Sequence, residues 1–205
     1  MNATLDVIKR RRSVRSYKKD PVPKDAIEAI IEPGNWAPTG HNMQRWRFVV
    51  VEDAGLRRKL LDATRPGFRK WVRGGRDSSD EHHREYMLGL FRRCLGWEVD
   101  TYEEGIDRML AFEDGVYWSA PVMIFVIGLW AGECDLVCEN IALAAESLGL
   151  GTCFVGFGSM VTQDEEIVAA LELRENEKIF GPIVLGYPAI VPDPPIKKPP
   201  VVKWI

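Results

Sequence analysis

Pro121-Val122-Met123-Ile124-Phe125-Val126-Ile127 is the stretch that decides the architecture. A run this apolar leaves no side for water, so it reads as a central strand covered on both faces. Downstream, residues 134–148 carry Leu136, Ile141, Ala144, Ala145 and Leu148, which predicts a helix apolar around much of its circumference, closed by Gly149 and Gly151. Strands are predicted at 152–157 and 179–186, on either side of a helix over 163–172 whose Thr162-x-x-Glu165 spacing suits a capping box. Upstream, Trp46 to Val51 predicts a strand, and Asp53 is placed to cap a helix bearing Leu56, Leu60 and Leu61. Leu5, Val7 and Ile8 mark a first helix ending near Arg12, and Pro23 with Ile27, Ile30 and Ile31 marks a second, ended by Glu32-Pro33-Gly34. The pattern is a mixed sheet with helices on both faces.

At 205 residues and 46% hydrophobic content, the chain suits one domain over 1–205 better than two small ones. Its net charge of -3 comes from interspersed signs, which gives no field for nucleic acid or an anionic membrane. The N terminus lacks the pattern of a secretory leader and the longest apolar run is too short to span a bilayer, so a cytoplasmic protein is expected. Cys94, Cys134, Cys138 and Cys153 make no disulfide framework in a chain of this length. Cys134 and Cys138 resemble half a metal site, but no second pair or nearby histidine completes it, and no metal is expected.

Two segments stand outside the scaffold. Residues 65–117 hold helical spacing at Tyr86, Leu90, Phe91, Cys94 and Leu95, and a capped helix after Thr101-x-x-Glu104. With Phe68, Trp71, Tyr86, Phe91, Trp97, Tyr102, Phe112 and Tyr117, they read as an inserted helical lid for a flat molecule, though the same aromatics suit plain packing. Residues 188–205 are dense in proline and lysine and are expected to run as an extended arm, over a partner subunit if one is present.

The chemistry is sought in three places. Arg11, Arg12, Ser13 and Arg15 leave the first helix with guanidinium forks and a hydroxyl suited to a phosphate, although such a cluster also complements a helix dipole. Pro38-Thr39-Gly40-His41-Asn42-Met43-Gln44 is a polar loop entering a strand, whose carboxamides can meet both donors and acceptors on a heterocycle such as a flavin. Gly156-x-Gly158-x-x-Val161 follows a strand as a dinucleotide fingerprint would, but lacks the third glycine and reads as a turn. His82 and His83 lie in a polar run and read as a solvated helix start. No Walker sequence and no nucleophile elbow occur.

Arg11 to Tyr17, Ala37-Pro38-Thr39 with Asn42, Gln44 and Trp46, and Gly186-Tyr187-Pro188 together resemble the nitroreductase family of FMN enzymes. The resemblance implies an α+β fold, a three-layer α/β/α sandwich with a mixed, mainly antiparallel sheet. It also implies an intertwined homodimer sharing two FMN sites, with NADH or NADPH as donor and a small flat acceptor. By that resemblance Arg11 and Ser13 meet phosphate and ribityl, Arg12 adds a neighbouring contact, and Arg15 reaches the pyrimidine. Pro38, Thr39, Gly40 and Asn42, with Gln44 nearby, form the loop that the partner lays on the ring. Cys153, Phe154, Val155 and Gly156 pass beside the ring with their amides toward N5, and Lys197 and Lys198 close the phosphate site from the tail. Val155 stands where some members have an acidic residue, and the lysines stand where arginine is usual. No protein residue is expected to be catalytic, because flavin N5 carries the chemistry. The alternatives are a non-catalytic FMN-binding or flavin-sensing protein, or a reductive dehalogenase-like enzyme on the same scaffold.

Overall fold

In the computed structural model, Val122–Gly128 forms strand β2 and all seven of its residues are buried. The structure describes residues 2–205, apart from the side chains of residues 160, 162 and 163. Strand β1 (Trp46–Val51) pairs antiparallel with one edge of β2, and β4 (Lys178–Gly186) pairs antiparallel with the other. Strand β3 (Gly151–Phe154) then pairs antiparallel with β4, giving the order β1-β2-β4-β3. Among the described residues the parallel component is confined to an isolated bridge between Ser13 and Thr152. It is this bridge that seats the N-terminal segment on the sheet.

Alternation along β2 explains why the whole strand is buried. Val122, Ile124 and Val126 point to one face, where helices α2 (Lys24–Asn35) and α6 (Ala131–Ser147) supply Ile27, Ile30, Val137 and Ile141. Met123, Phe125 and Ile127 point to the other, where α3 (Ala54–Arg76), α4 (Glu81–Gly89), α5 (Tyr102–Ala111) and α7 (Glu165–Ala170) supply Leu60, Met87, Ile106 and Ile167. The result is a three-layer α/β/α sandwich. Helix α1 (Ala3–Arg10) buries no residue and leaves Leu5 and Ile8 half exposed.

Several boundaries differ from the sequence reading. Helix α2 runs past Pro33 to Asn35 although the proline removes one helical hydrogen bond, and Gly34 lets Ile141 approach within 2.7 Å of where a Cβ would stand. Helix α3 continues through Pro66 to Arg76, so residue 65 is no boundary: burial of Phe68 and Val72 carries the helix on. Helix α6 starts at Ala131, a turn early, and the strand predicted to reach 157 stops at Phe154, where the 3-10 stretch Gly156–Gln163 begins. The cap predicted at Thr162 falls on a side chain outside those described, and α7 begins after Asp164, whose carboxylate accepts from the Glu166 and Ile167 amides. Asp53 and Thr101 cap α3 and α5 as expected.

The 65–117 segment is built into the core rather than laid over it. Phe91 is fully buried and stacks on Trp97 at 5.7 Å, and Trp97 meets Phe112 edge-on at 5.4 Å. Tyr102 and Tyr117 are buried, whereas Trp71 and Tyr86 remain exposed. Helix α4 passes directly into a π turn, Leu90–Cys94, which turns Leu90 and Phe91 into the core.

Candidate functional site

Helix α1 ends at Arg10, and the chain then runs extended alongside β3, with the Val14 amide donating to the Thr152 carbonyl at 2.8 Å. Alternation in this extended run sets Arg11, Ser13 and Arg15 on one side and buried Val14 on the other. The approach is close enough that a Cβ on Gly151 would stand 2.8 Å from Val14, which is why that position holds glycine. Arg11 lies 3.8 Å from Glu139 of α6, a loose ion pair. Arg12 faces away: Nη1 donates to the Lys9 and Arg11 carbonyls at 2.7 and 2.9 Å. Its charge serves the end of α1, the ordinary role of a basic residue there.

Arg15 is the centre of the cluster. Its Nη1 donates to the Ser13 carbonyl at 3.1 Å, and its guanidinium lies 5.8 Å from the centre of the Trp118 ring. The titratable groups around it, Cys153, Tyr86, Cys94 and Tyr17, are thiols and phenols with no carboxylate among them. Burial pushes the Cys153 thiol up against the opposing pull of Arg15, and burial likewise raises Tyr17 well above its ordinary value, so both stay neutral. A half-buried cation facing neutral groups is uncompensated and invites an anionic ligand.

Along β3 the sequence-predicted residues divide. Cys153 is buried beside Arg15, and Phe154 is half exposed. Val155 packs into the core, and its amide donates to the Pro182 carbonyl at 2.9 Å. That amide is therefore not free to face a ring. Gly156 stands open, with nothing within 4 Å of where a Cβ would be.

The Pro38–Gln44 loop is anchored elsewhere on α6. The Gly40 amide donates to Glu133 Oε1 at 3.0 Å, about 9 Å along the helix from Glu139 and Arg11. Three of its non-glycine residues, His41, Asn42 and Gln44, have φ of 53°, 53° and 47°. Strain of this kind collects at binding sites. Thr39 Oγ1 is buried with no hydrogen-bond partner, an unmet demand in the loop. The loop's described hydrogen bonds do not run to the arginines.

The tail is rooted beside the cluster. The Lys18 amide donates to Tyr187, and the Ala189 amide donates to Ser16 at 2.8 Å. Beyond, the chain carries no helix or strand, and Lys197 and Lys198 are exposed rather than folded back onto Arg11. Ile196, Trp204 and Ile205 are 99%, 90% and 111% exposed, far from the usual fate of such side chains.

A separate cleft of about 790 Å³ opens between α3, α4 and Phe157, with Trp71, Gly74, Asp77, His83 and Met87 among its walls. His83, expected to be solvated, is half buried here, edge-on to Trp71 and Tyr102. Sequence reasoning missed the cleft, and it missed Trp118 and Asp114. An Asp114-Gly115 pair before an apolar strand was the available turn signal, but nothing local ties that turn to Arg15.

A three-layer sandwich around this antiparallel sheet defines a known class of fold. A nitroreductase with bound FMN from Desulfitobacterium hafniense superposes with a TM-score of 0.73 at 24% identity, covering 100% of this chain and 99% of that one. The model of the Nitroreductase family matches residues 8–187, and the chain belongs to that family. An NADH dehydrogenase of Thermus thermophilus is 44% identical over 205 residues, covering 92% of this chain and 91% of the relative. A nitroreductase with bound FMN from Bacteroides fragilis is 28% identical, with a TM-score of 0.62 over 99% of this chain and 96% of that one.

Proposed function

We propose that the chain is an FMN-dependent NAD(P)H oxidoreductase that works as a homodimer on a flat acceptor: a nitroaromatic, a quinone or a flavin. The single observation that carries this is Arg15, a cation fixed by Ser13 and Trp118 and surrounded by neutral groups. The relatives named above as NADH dehydrogenase and as FMN-bound nitroreductases support it. The residues present fit FMN: a partnerless Thr39 hydroxyl, an uncompensated guanidinium and open space at Gly156 each leave a demand that a polar, anionic heterocycle meets. When bound, FMN supplies hydride transfer at N5, taking hydride from NADH or NADPH and passing it to the acceptor in alternate half-reactions.

The chain's own part is binding, orientation and charge. Arg11 and Ser13 hold the phosphate and ribityl chain by charge-assisted bonds. Arg15 would set a fixed positive charge beside the pyrimidine of bound flavin, which would favour its reduced state. Pro38, Thr39, Gly40, Asn42 and Gln44 serve the site of the partner subunit, and Lys197 and Lys198 bring point charges to the phosphate from an arm that wraps the second chain. The exposed apolar residues of that arm are the reason to assign it to a partner. A cytoplasmic setting belongs to the same reading. Trp71 and Tyr86, the exposed aromatics of the 65–117 segment, cover the acceptor.

The test is the visible spectrum of purified protein with and without added FMN. A flavin band that stays with the protein through gel filtration supports the reading. Protein that is colourless and takes up no FMN overturns it.

A further inference from the structure

Asp114 lies on the connection between α5 and β2 and is 8% exposed. No cation pairs with it among the described residues, and its oxygens are taken by main-chain amides. Oδ1 accepts from Val116 at 3.2 Å and Tyr117 at 2.7 Å, and Oδ2 accepts from Ser119 at 2.8 Å. These bonds hold two successive non-glycine residues in the left-handed region, Trp118 at φ 61° and Ser119 at φ 54°. Side chains disfavour that conformation because Cβ crowds the following carbonyl, so an isolated chain would not hold it at two neighbours in a row. Tyr117, fully buried, roots the turn in the core.

What the turn presents is the indole of Trp118, set 5.8 Å from the Arg15 guanidinium while Ser13 holds the same group from the other side at 3.1 Å. Arg15 makes no hydrogen bond through Nε or Nη2 among the described residues, so those donors stay free while the head is fixed. We infer that Asp114 is a positioning residue of the flavin site, acting through Trp118 on Arg15 to fix the guanidinium where it favours reduced FMN. The inference rests on the proposed role of Arg15 at the flavin and adds the residues that hold it in place. A guanidinium free to swing would spend its charge in solvent, whereas one clamped before the ligand arrives loses little on reduction.

The test is the flavin midpoint potential of the holoenzyme, read by dye equilibration under argon as the ratio of affinities for reduced and oxidised FMN. Trp118→Leu and Asp114→Asn are each expected to lower that ratio about two- to fivefold, the span of a partly exposed cation–π contact. Trp118→Phe keeps an aromatic face and is expected to retain the ratio. In an Arg15→Ala background neither substitution should lower it further. If Arg15→Ala alone leaves the ratio unchanged, the role of Arg15 fails and the inference with it. If Arg15→Ala lowers the ratio but Trp118→Leu does not, or does so equally without Arg15, the inference alone is overturned. Should Asp114→Asn fail to fold, the two Trp118 variants still decide.

Discussion

Arg11, Arg12 and Arg15 look alike in the sequence and are separated by their partners. Arg11→Ala is expected to weaken FMN binding by ~1.5 to 3 kcal/mol, the loss of one charge-assisted contact, in a fluorescence titration. Arg12→Ala should leave that affinity near wild type, because its guanidinium is bound to the carbonyls at the end of α1. Equal losses in both variants would contradict this division. The cysteines give a second residue-level prediction. Burial pushes Cys134 up to about 11 and Cys138 up to about 12, and it raises Cys153 as well. At about pH 8, then, a thiol reagent should reach Cys94 alone in the native protein and all four thiols in denaturant. The arginine cluster was legible in the sequence because three arginines and a serine crowd the end of the first helix. The clamp on Arg15 was not, because it joins residues a hundred positions apart through a turn that no local propensity favours.

At the level of elements, strands and caps could be read directly, since β2 is uniformly apolar and Asp53 and Thr101 sit where orphan amides need an acceptor. The lid could not. It was set apart at residue 65 as lying outside the scaffold, but burial of Phe68 and Val72 carries α3 straight through to Arg76. Its aromatics then divide between packing and exposure in a way that spacing alone does not reveal. Two glycines test this. Nothing lies within 4 Å of a Cβ at Gly74, so Gly74→Ala should stabilise the helix by about 1 kcal/mol, visible as a rise in Tm. A Cβ at Gly105 would stand 2.1 Å from Phe91, so Gly105→Ala should destabilise by about 1 to 3 kcal/mol. A reversed order would mean that α5 does not pack on Phe91 as described. Acid stability adds a third check. The Arg47 guanidinium, donating to Glu177 from the end of β1, holds that carboxyl below the usual range. A carboxyl lowered by folding stabilises the protein above the unfolded value and loses that contribution as pH falls through the folded one. Wild type should therefore exceed Glu177→Gln in stability at neutral pH, with the gap closing below about pH 4. A gap that is the same at both ends would rule the pair out as a source of acid sensitivity.

For the whole molecule, the candidate site residues lie at separate places on one chain. The arginines and β3 meet, while the Pro38–Gln44 loop sits about 9 Å along α6 and the lysines of the arm lie exposed. In the proposed homodimer a second copy supplies what is missing. Ending the chain at Ile190 keeps the root on Ser16 and removes the arm, and it is expected to give monomers in analytical ultracentrifugation together with loss of FMN. A truncated dimer that retains full FMN affinity would leave the arm without this role. The sequence predicts an extended tail, since proline forbids helix, but proline content does not say where an extended tail lands. The most direct test of the whole account is stopped-flow mixing of FMN-loaded protein with NADH and with NADPH under argon, followed at the flavin band. Rapid bleaching with at least one donor, and recovery on adding a quinone or nitroaromatic, is the predicted result. A flavin that stays oxidised with both donors would contradict an oxidoreductase and leave a protein that only binds FMN.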